Sequence, residues 1–279
     1  MTMRYAFRLL NVFAETPLAG NPLCVVETSD GLDTATMQAL ALQFNLSETT
    51  FIQPSTEATA KVRIFTPTFE MPFAGHPTLG TAHVVRELFK AGDHVTLAMK
   101  AGVIPVSAVG DRWTLSANPP RWRPPVATRG ELATMLGVAE SDVGEMPLWV
   151  DAGSEQLMIP LTSYAAVRRA QPSAAGLARH GSNGQRAMAY VFAREGDAML
   201  ARFFFPKHDS VLEDPGTGSA CANLGGWLIA TGAPLPQRVQ VSQGEAVSRP
   251  CALGLEVTAE RAIRVSGQVI EIGRGSLAF

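Results

Sequence analysis

The sequence predicts an α+β protein of two pseudo-symmetric, barrel-like domains, each a curled, mostly antiparallel or mixed sheet around a central helix. Three observations predict it. The chain repeats one pattern: Arg63, Phe65 and Pro67 precede Glu70, Pro72, Gly75 and His76, and Arg202, Phe204 and Pro206 precede Glu213, Pro215, Gly218 and Ser219. The shared form is R-x-F-x-P, a spacer, then E-x-P-x-x-G-[H/S], with a spacer four residues longer in the second copy. Each copy leads into a small, apolar run with helical character. The run 220–230 carries no charged residue on any face, so protein must surround it. Finally, the copies lie about half of the 279 residues apart, which suits two similar domains and far exceeds the period of a solenoid unit.

The elements follow in order. Residues 4–13 and 22–27 read as strands joined by a Pro/Gly turn at 17–22. Residues 33–44 suit an amphipathic helix, with Met37, Leu40, Ala41 and Phe44 at helical spacing and Asp33 as N-cap. Strands are expected at 48–53 and 60–66, then a helix over 77–90 with Pro77 at its first position, where the missing N–H costs nothing. Residues 94–99, 103–109 and 112–117 fit antiparallel strands. The Pro-rich stretch 119–125 reads as a stiff linker and marks the domain boundary, giving halves of 1–118 and 119–265. The second half repeats the order, with strands near 147–151 and 155–161 and a helix near 173–179. Strands near 186–193 and 199–205 precede a helix near 219–230. Strands at 238–242, 254–258, 261–265 and 268–273 close the chain.

Composition narrows the function. Hydrophobic residues make up 46% of the chain and the formal net charge is −2. No Lys/Arg stripe marks a nucleic-acid footprint, and no apolar run of about 18 residues marks a membrane span. The first residues carry Arg8, Asn11 and Glu15 and read as a strand and turn rather than a signal peptide. The three cysteines, at 24, 221 and 251, lack metal-ligand spacing, and an odd count argues against a disulfide framework. A reducing cytoplasm is the expected compartment. Cys24 reads as core. Cys221, close to Ser219, reads as helix packing.

The chemistry points to the two loops. Both end at a helix start, whose first N–H groups lack internal partners and attract anions. His76 and Ser219 are expected as N-caps, with Gly75 and Gly218 allowing close backbone approach. Matched starts facing one cleft would grip a small carboxylate. Histidine, here His76, is the side-chain type whose unperturbed pKa lies nearest neutrality, and Asp214 stands beside Glu213. Glu48 enters an apolar, β-branched strand. There it is either a solvent-side edge residue or a buried carboxyl whose pKa is raised towards neutrality, able to take and give a proton.

The run 19–23 (A-G-N-P-L), Leu46 to Thr49 (L-S-E-T), the run 73–79 (F-A-G-H-P-T-L) and Glu213 to Ala220 (E-D-P-G-T-G-S-A) together resemble the PhzF-like phenazine-biosynthesis family. The resemblance spans nearly the whole chain. It implies the two-domain fold of diaminopimelate epimerase, a last strand of about 266–279 returning to the first domain, no cofactor, no metal and a homodimer. It implies isomerisation like that of trans-2,3-dihydro-3-hydroxyanthranilate, in which a proton moves across the ring to give an enol that tautomerises to a ketone. By motif, Glu48 matches the proton shuttle, His76 and Asp214 its acid/base and orienting partners. Ser47, Ser219 and the amides near Gly75 and Gly218 match groups that hold the substrate. The epimerase relatives use a cysteine pair, which the loops here lack.

The run 207–212 departs from the family's Gly-Ile before Glu213, and His208 is either a surface residue or a site residue. The expected partner is a small carboxylated metabolite, and two alternatives stand beside the isomerase: an amino-acid or hydroxy-acid racemase or epimerase using Glu48 and Asp214 from opposite faces, and a non-catalytic small-ligand-binding protein.

Overall fold

The computed structural model describes residues 3–278, and the chain divides into two units, 1–116 with 266–279, and 117–265. In the first unit, apolar and β-branched runs form β1 (Arg4–Val12), β2 (Asn21–Val26), β3 (Glu48–Gln53) and β4 (Ala60–Phe65), with α1 (Thr34–Phe44) between β2 and β3. The short β5 (Glu70–Met71), α2 (Gly75–Phe89), β6 (His94–Met99), β7 (Gly102–Val109) and β8 (Arg112–Ser116) follow. Neighbouring pairings run β1–β2, β2–β3, β3–β4, β4–β6, β6–β7 and β7–β8. The C-terminal strand Ile263–Ala278 then pairs with β8 and, antiparallel, with β1. The ring is therefore closed and leaves no edge strand among its members.

This unit carries helices on both faces of its sheet. Thr50 Oγ1 meets Thr81 Oγ1 of α2 at 2.8 Å, while Phe51 packs with Met37, Leu40 and Ala41 of α1. Neighbours on a strand point to opposite faces, so α2 fills the ring and α1 covers its outside. Double burial explains why β2 and β3 read as continuous apolar or β-branched runs rather than alternating ones.

The second unit repeats the plan. Its elements are β9 (Arg121–Arg123), α3 (Arg129–Leu136), β10 (Leu148–Asp151), β11 (Gln156–Pro160), α4 (Tyr164–Arg169), α5 (Ala174–His180) and β12 (Ala189–Glu195). After them come β13 (Ala198–Lys207), β14 (Ser210–Asp214), α6 (Gly218–Ala230), β15 (Gln237–Gln243) and β16 (Cys251–Val257). The order of antiparallel and parallel pairings from β10 through β16 matches that from β1 through β7, with α6 in the place of α2 and two helices, α4 and α5, in the place of α1. Helix α6 is enclosed on two sides. A Cβ on Gly225 would lie 2.8 Å from Ile263, and one on Gly226 would lie 2.7 Å from Val150 and 2.8 Å from Pro120. Leu132, Leu136, Val167 and Leu177 from α3, α4 and α5 build the outer core against Leu157, Val191 and Phe204.

The repeated Arg and Glu have a structural task. Arg63 on β4 makes two 2.8 Å bonds to Glu70 on β5, with its guanidinium 5.0 Å from the centroid of Phe65. Arg202 on β13 likewise grips Glu213 on β14, at 2.7 Å for the shortest bond, and sits 4.6 Å from the centroid of Phe204. Each pair clamps the hairpin that delivers the chain to its central helix. The Arg63 guanidinium holds the Glu70 carboxyl down at about 2.

Several expectations change. Residues 121–123 are not a linker but strand β9, paired antiparallel with β10. The strands expected at 261–265 and 268–273 are one continuous strand. Helices α3 and α4 add to the expected elements, and Thr128 and Glu131 form a reciprocal capping box before α3. Among the described residues, no helix is long and apolar enough to cross a membrane.

Candidate functional site

In the first unit the structure brings Glu48 and His76 together. Glu48 opens β3, in parallel register with Leu23 of β2. His76 is the second residue of α2, whose N-cap is Ala74, an extended residue with no side-chain capping bond. His76 is thus not the cap expected from the sequence. The helix starts two residues before Pro77, which is tolerated there because the first-turn N–H groups have no intrahelical acceptor. The Thr50–Thr81 bond ties Glu48's strand to His76's helix. Glu48 Oε2 stands 3.4 Å from His76 Nε2.

The electrostatics of this pair follow from burial. His76 is 5% exposed, and desolvation pushes its pKa down to about 3, opposed by a smaller effect of the Pro22 carbonyl, which accepts from the ring. The buried Nε2 has no aligned hydrogen bond. The ring is therefore neutral, protonated towards Pro22, and its Nε2 lone pair faces the Glu48 carboxyl. That lone pair is placed to accept from the Glu48 carboxyl whenever the carboxyl carries a proton. Pro22 is placed by Gly20 at φ +80, where a Cβ would lie 2.6 Å from the Val12 carbonyl oxygen. Ser47 is half-buried just before β3, and Gly75 is the buried first residue of α2.

A pH dependence follows. The unfolded chain takes a proton on His76 near 6.5, whereas the folded state resists it down to about 3. Stability is therefore expected to fall as pH drops through this window, by at most about 1.4 kcal/mol per pH unit from this group. Urea midpoints between pH 7 and 4 check it. A His76→Gln variant should show a flatter profile, and equal slopes would refute the assignment.

In the second unit, Asp214 ends β14 and Ser219 is the second residue of α6, the position His76 holds in α2. The N-cap is Thr217, not Ser219, and it makes no side-chain capping bond. Its hydroxyl instead donates to the Asp214 carboxylate. Buried Gln243 orders this turn: its Nε2 donates to the Asp214 carbonyl at 2.8 Å and to Thr217 Oγ1 at 3.0 Å, while its Oε1 accepts from the Thr217 N–H at 3.3 Å. Ser219 Oγ accepts from Gln156 Nε2 at 3.0 Å. Gly218 is the buried first residue of the helix.

Adjacent carboxylates divide their labour because neighbours on β14 point to opposite faces. Glu213 serves the clamp with Arg202, while Asp214 accepts from the Thr217 hydroxyl. Cys221 is buried, and burial pushes its thiol up, as helix packing requires. His208 lies exposed in the β13–β14 turn at φ 54. Among the described residues, no group of three or more His, Cys, Asp or Glu is arranged to hold a metal ion. Sequence reasoning missed Gln156, Thr217, Asn223 and Gln243. Asn223 alone gave a signal, as a polar residue on an otherwise apolar, enclosed helix.

Comparison with known proteins agrees with the fold. Residues 10–275 match the sequence model of the PhzC-PhzF family, described as phenazine biosynthesis-like protein. An uncharacterized isomerase of Pasteurella multocida is 38% identical, over 99% of this chain and 95% of its own length. The trans-2,3-dihydro-3-hydroxyanthranilate isomerase of Pseudomonas fluorescens is 32% identical, over 97% of this chain and 98% of its own. In fold, a PhzF-family phenazine biosynthesis protein of Bacillus anthracis superposes with a TM-score of 0.88 at 22% identity, covering 99% of both chains. A hydroxyproline epimerase of Agrobacterium vitis superposes at 0.64 and 12% identity, covering 99% of this chain and 91% of its own.

Proposed function

This chain belongs to the PhzC-PhzF family and is an isomerase, and from that membership we propose that it moves a proton within a small carboxylated substrate by acid/base catalysis, without a cofactor. The observation that carries the reading is the Glu48–His76 pair, whose buried facing atoms stand 3.4 Å apart, with the histidine held neutral. Glu48 takes the proton from one carbon and returns it to another. His76 Nε2 accepts or yields a proton as the Glu48 carboxyl changes state. Asp214, with one oxygen engaged by Thr217, orients the substrate. Ser47, Ser219 and the amides at Gly75 and Gly218 hold its carboxylate.

The substrate class comes from the relatives. At 32% identity over nearly the full length, trans-2,3-dihydro-3-hydroxyanthranilate or a close analogue is the first molecule to assay. The reaction conserves composition: one C–H bond breaks, another forms, and the resulting enol tautomerises to a ketone. Incubation of the purified protein with this compound in D2O is expected to give an isomer with solvent deuterium at the new C–H position. No turnover would overturn the substrate assignment. Deuterium uptake at the stereocentre of an amino or hydroxy acid, with inversion, would replace the reading by racemisation.

A further inference from the structure

Ser219 is held from behind by a chain of side-chain amides whose polarity is fixed at one end by the backbone. Asn223 is fully buried on α6, one turn after Ser219. Its Oδ1 accepts from the Ala152 N–H at 2.8 Å, and its Nδ2 donates to the Ser154 carbonyl at 2.8 Å. The backbone of 152–154 thus settles which end of the Asn223 amide is oxygen. A flipped amide would set NH2 against N–H and oxygen against carbonyl. The second Nδ2 proton goes to Gln156 Oε1 at 2.8 Å. Gln156, 4% exposed, is therefore settled too, because flipping it would place NH2 against NH2. Its Nε2 must point to Ser219 Oγ, 3.0 Å away.

A hydroxyl that accepts from Gln156 keeps its own proton for another partner. Among the described residues, the Ser219 hydroxyl has no acceptor. We propose that Gln156 and Asn223 are positioning residues that commit Ser219 to donate, so that the second unit selects a substrate group that accepts: a carboxylate or carbonyl oxygen, and not an ammonium. This rests on the proposed role of Ser219 in holding substrate and deepens it. The corresponding helix position in the first unit is committed the other way. The Pro22 carbonyl takes the ring proton of His76 and leaves Nε2 as an acceptor. One fold position is thus set as acceptor in one unit and as donor in the other, by Pro22 of β2 in the first and by Gln156 of the matching strand β11 in the second.

The test uses benzoate as the acceptor probe and benzylammonium as its counterpart, titrated into 15N-labelled full-length protein while the Ser219 and Ala220 amides are followed. Benzoate is expected to shift both amides and benzylammonium neither. Gln156→Met should weaken benzoate binding about 5–10-fold, the range of one net hydrogen bond. Gln156→Glu should weaken it more than 10-fold, because the new carboxylate accepts the Ser219 proton and repels the anion. In a Ser219→Ala background, Gln156→Met should have no further effect, which is the signature of acting through Ser219. A readout on the unaltered protein guards against misfolded variants: the side-chain amide protons of Gln156 and Asn223 should exchange slowly with solvent and show contacts to Ser219 Hβ and Ala152 H respectively. Benzoate that leaves Ser219 undisturbed, equal weakening with and without Ser219, wild-type affinity in Gln156→Glu, or freely exchanging Gln156 amide protons would each overturn the proposal. Because the titration needs no turnover, failure of the isomerase assay strikes the substrate assignment alone.

Discussion

Glu48→Gln is expected to abolish isomerase turnover while leaving the fold intact. General acid–base catalysis by one group contributes roughly 10²–10⁴-fold, and loss of a sole shuttle should cost at least that. The amide keeps the shape of the carboxyl but has no transferable proton. Folding should survive because the amide N–H can donate to the buried His76 Nε2, which has no aligned hydrogen bond. The measurement is kcat and deuterium incorporation with trans-2,3-dihydro-3-hydroxyanthranilate, beside unfolding curves of both proteins. Asp214→Asn is the control. If Glu48→Gln runs at near-normal rate while Asp214→Asn is dead, the shuttle is Asp214.

The largest effect on stability is expected from Arg202→Met. The Arg202 and Glu213 side chains are 12% and 7% exposed. Removing one partner of such a pair leaves a buried charge uncompensated and costs about 3–5 kcal/mol. Arg202 also donates to the carbonyls of Val167, Arg168 and Ala170 at the end of α4, so that helix loses its C-terminal partner as well. Adding Glu213→Leu should restore much of the loss. The equivalent Arg63→Met should be markedly milder, because Lys100 Nζ remains 2.7 Å from Glu70. Urea denaturation of the three variants checks the ranking, and equal losses for Arg63→Met and Arg202→Met would refute it.

Much of the architecture is legible because the repeat is made of residues with strong local consequences. Arg63, Phe65 and Glu70 recur as Arg202, Phe204 and Glu213 because each half needs the same clamp. The uncharged run of α6 announces its enclosure. What was not legible depends on partners far along the chain. Residues 121–123, between proline pairs, have no strand signature of their own and become β9 only by pairing with 149–151. The helix starts were misplaced because Gly75 and Gly218 resemble loop residues, and only three-dimensional context puts them inside a first turn. Of the proposed site residues, Glu48 and His76 are read from motif, and the structure joins them. Gln156 carries no signal, since its task depends on Asn223 and Ser219, each more than 60 positions away.

During synthesis the strand that closes the first unit is made long after its partners β1 and β8. The ring of the first unit needs that strand between β1 and β8, yet the segment from 266 onward is made only after the whole second unit. At about 5–20 residues per second, the delay is roughly 7–30 s. During it, the N-terminal strands wait with two open edges, which are templates for wrong pairing. The second unit, almost contiguous in sequence, is free to fold first, reversing the usual N-to-C order of assembly. A polypeptide cut short before residue 266 cannot close the ring that holds Glu48 and His76. Closure of the first unit therefore waits on the segment from 266 onward, and pulse-labelled nascent chains should show that unit becoming protease-resistant only once this segment has been made.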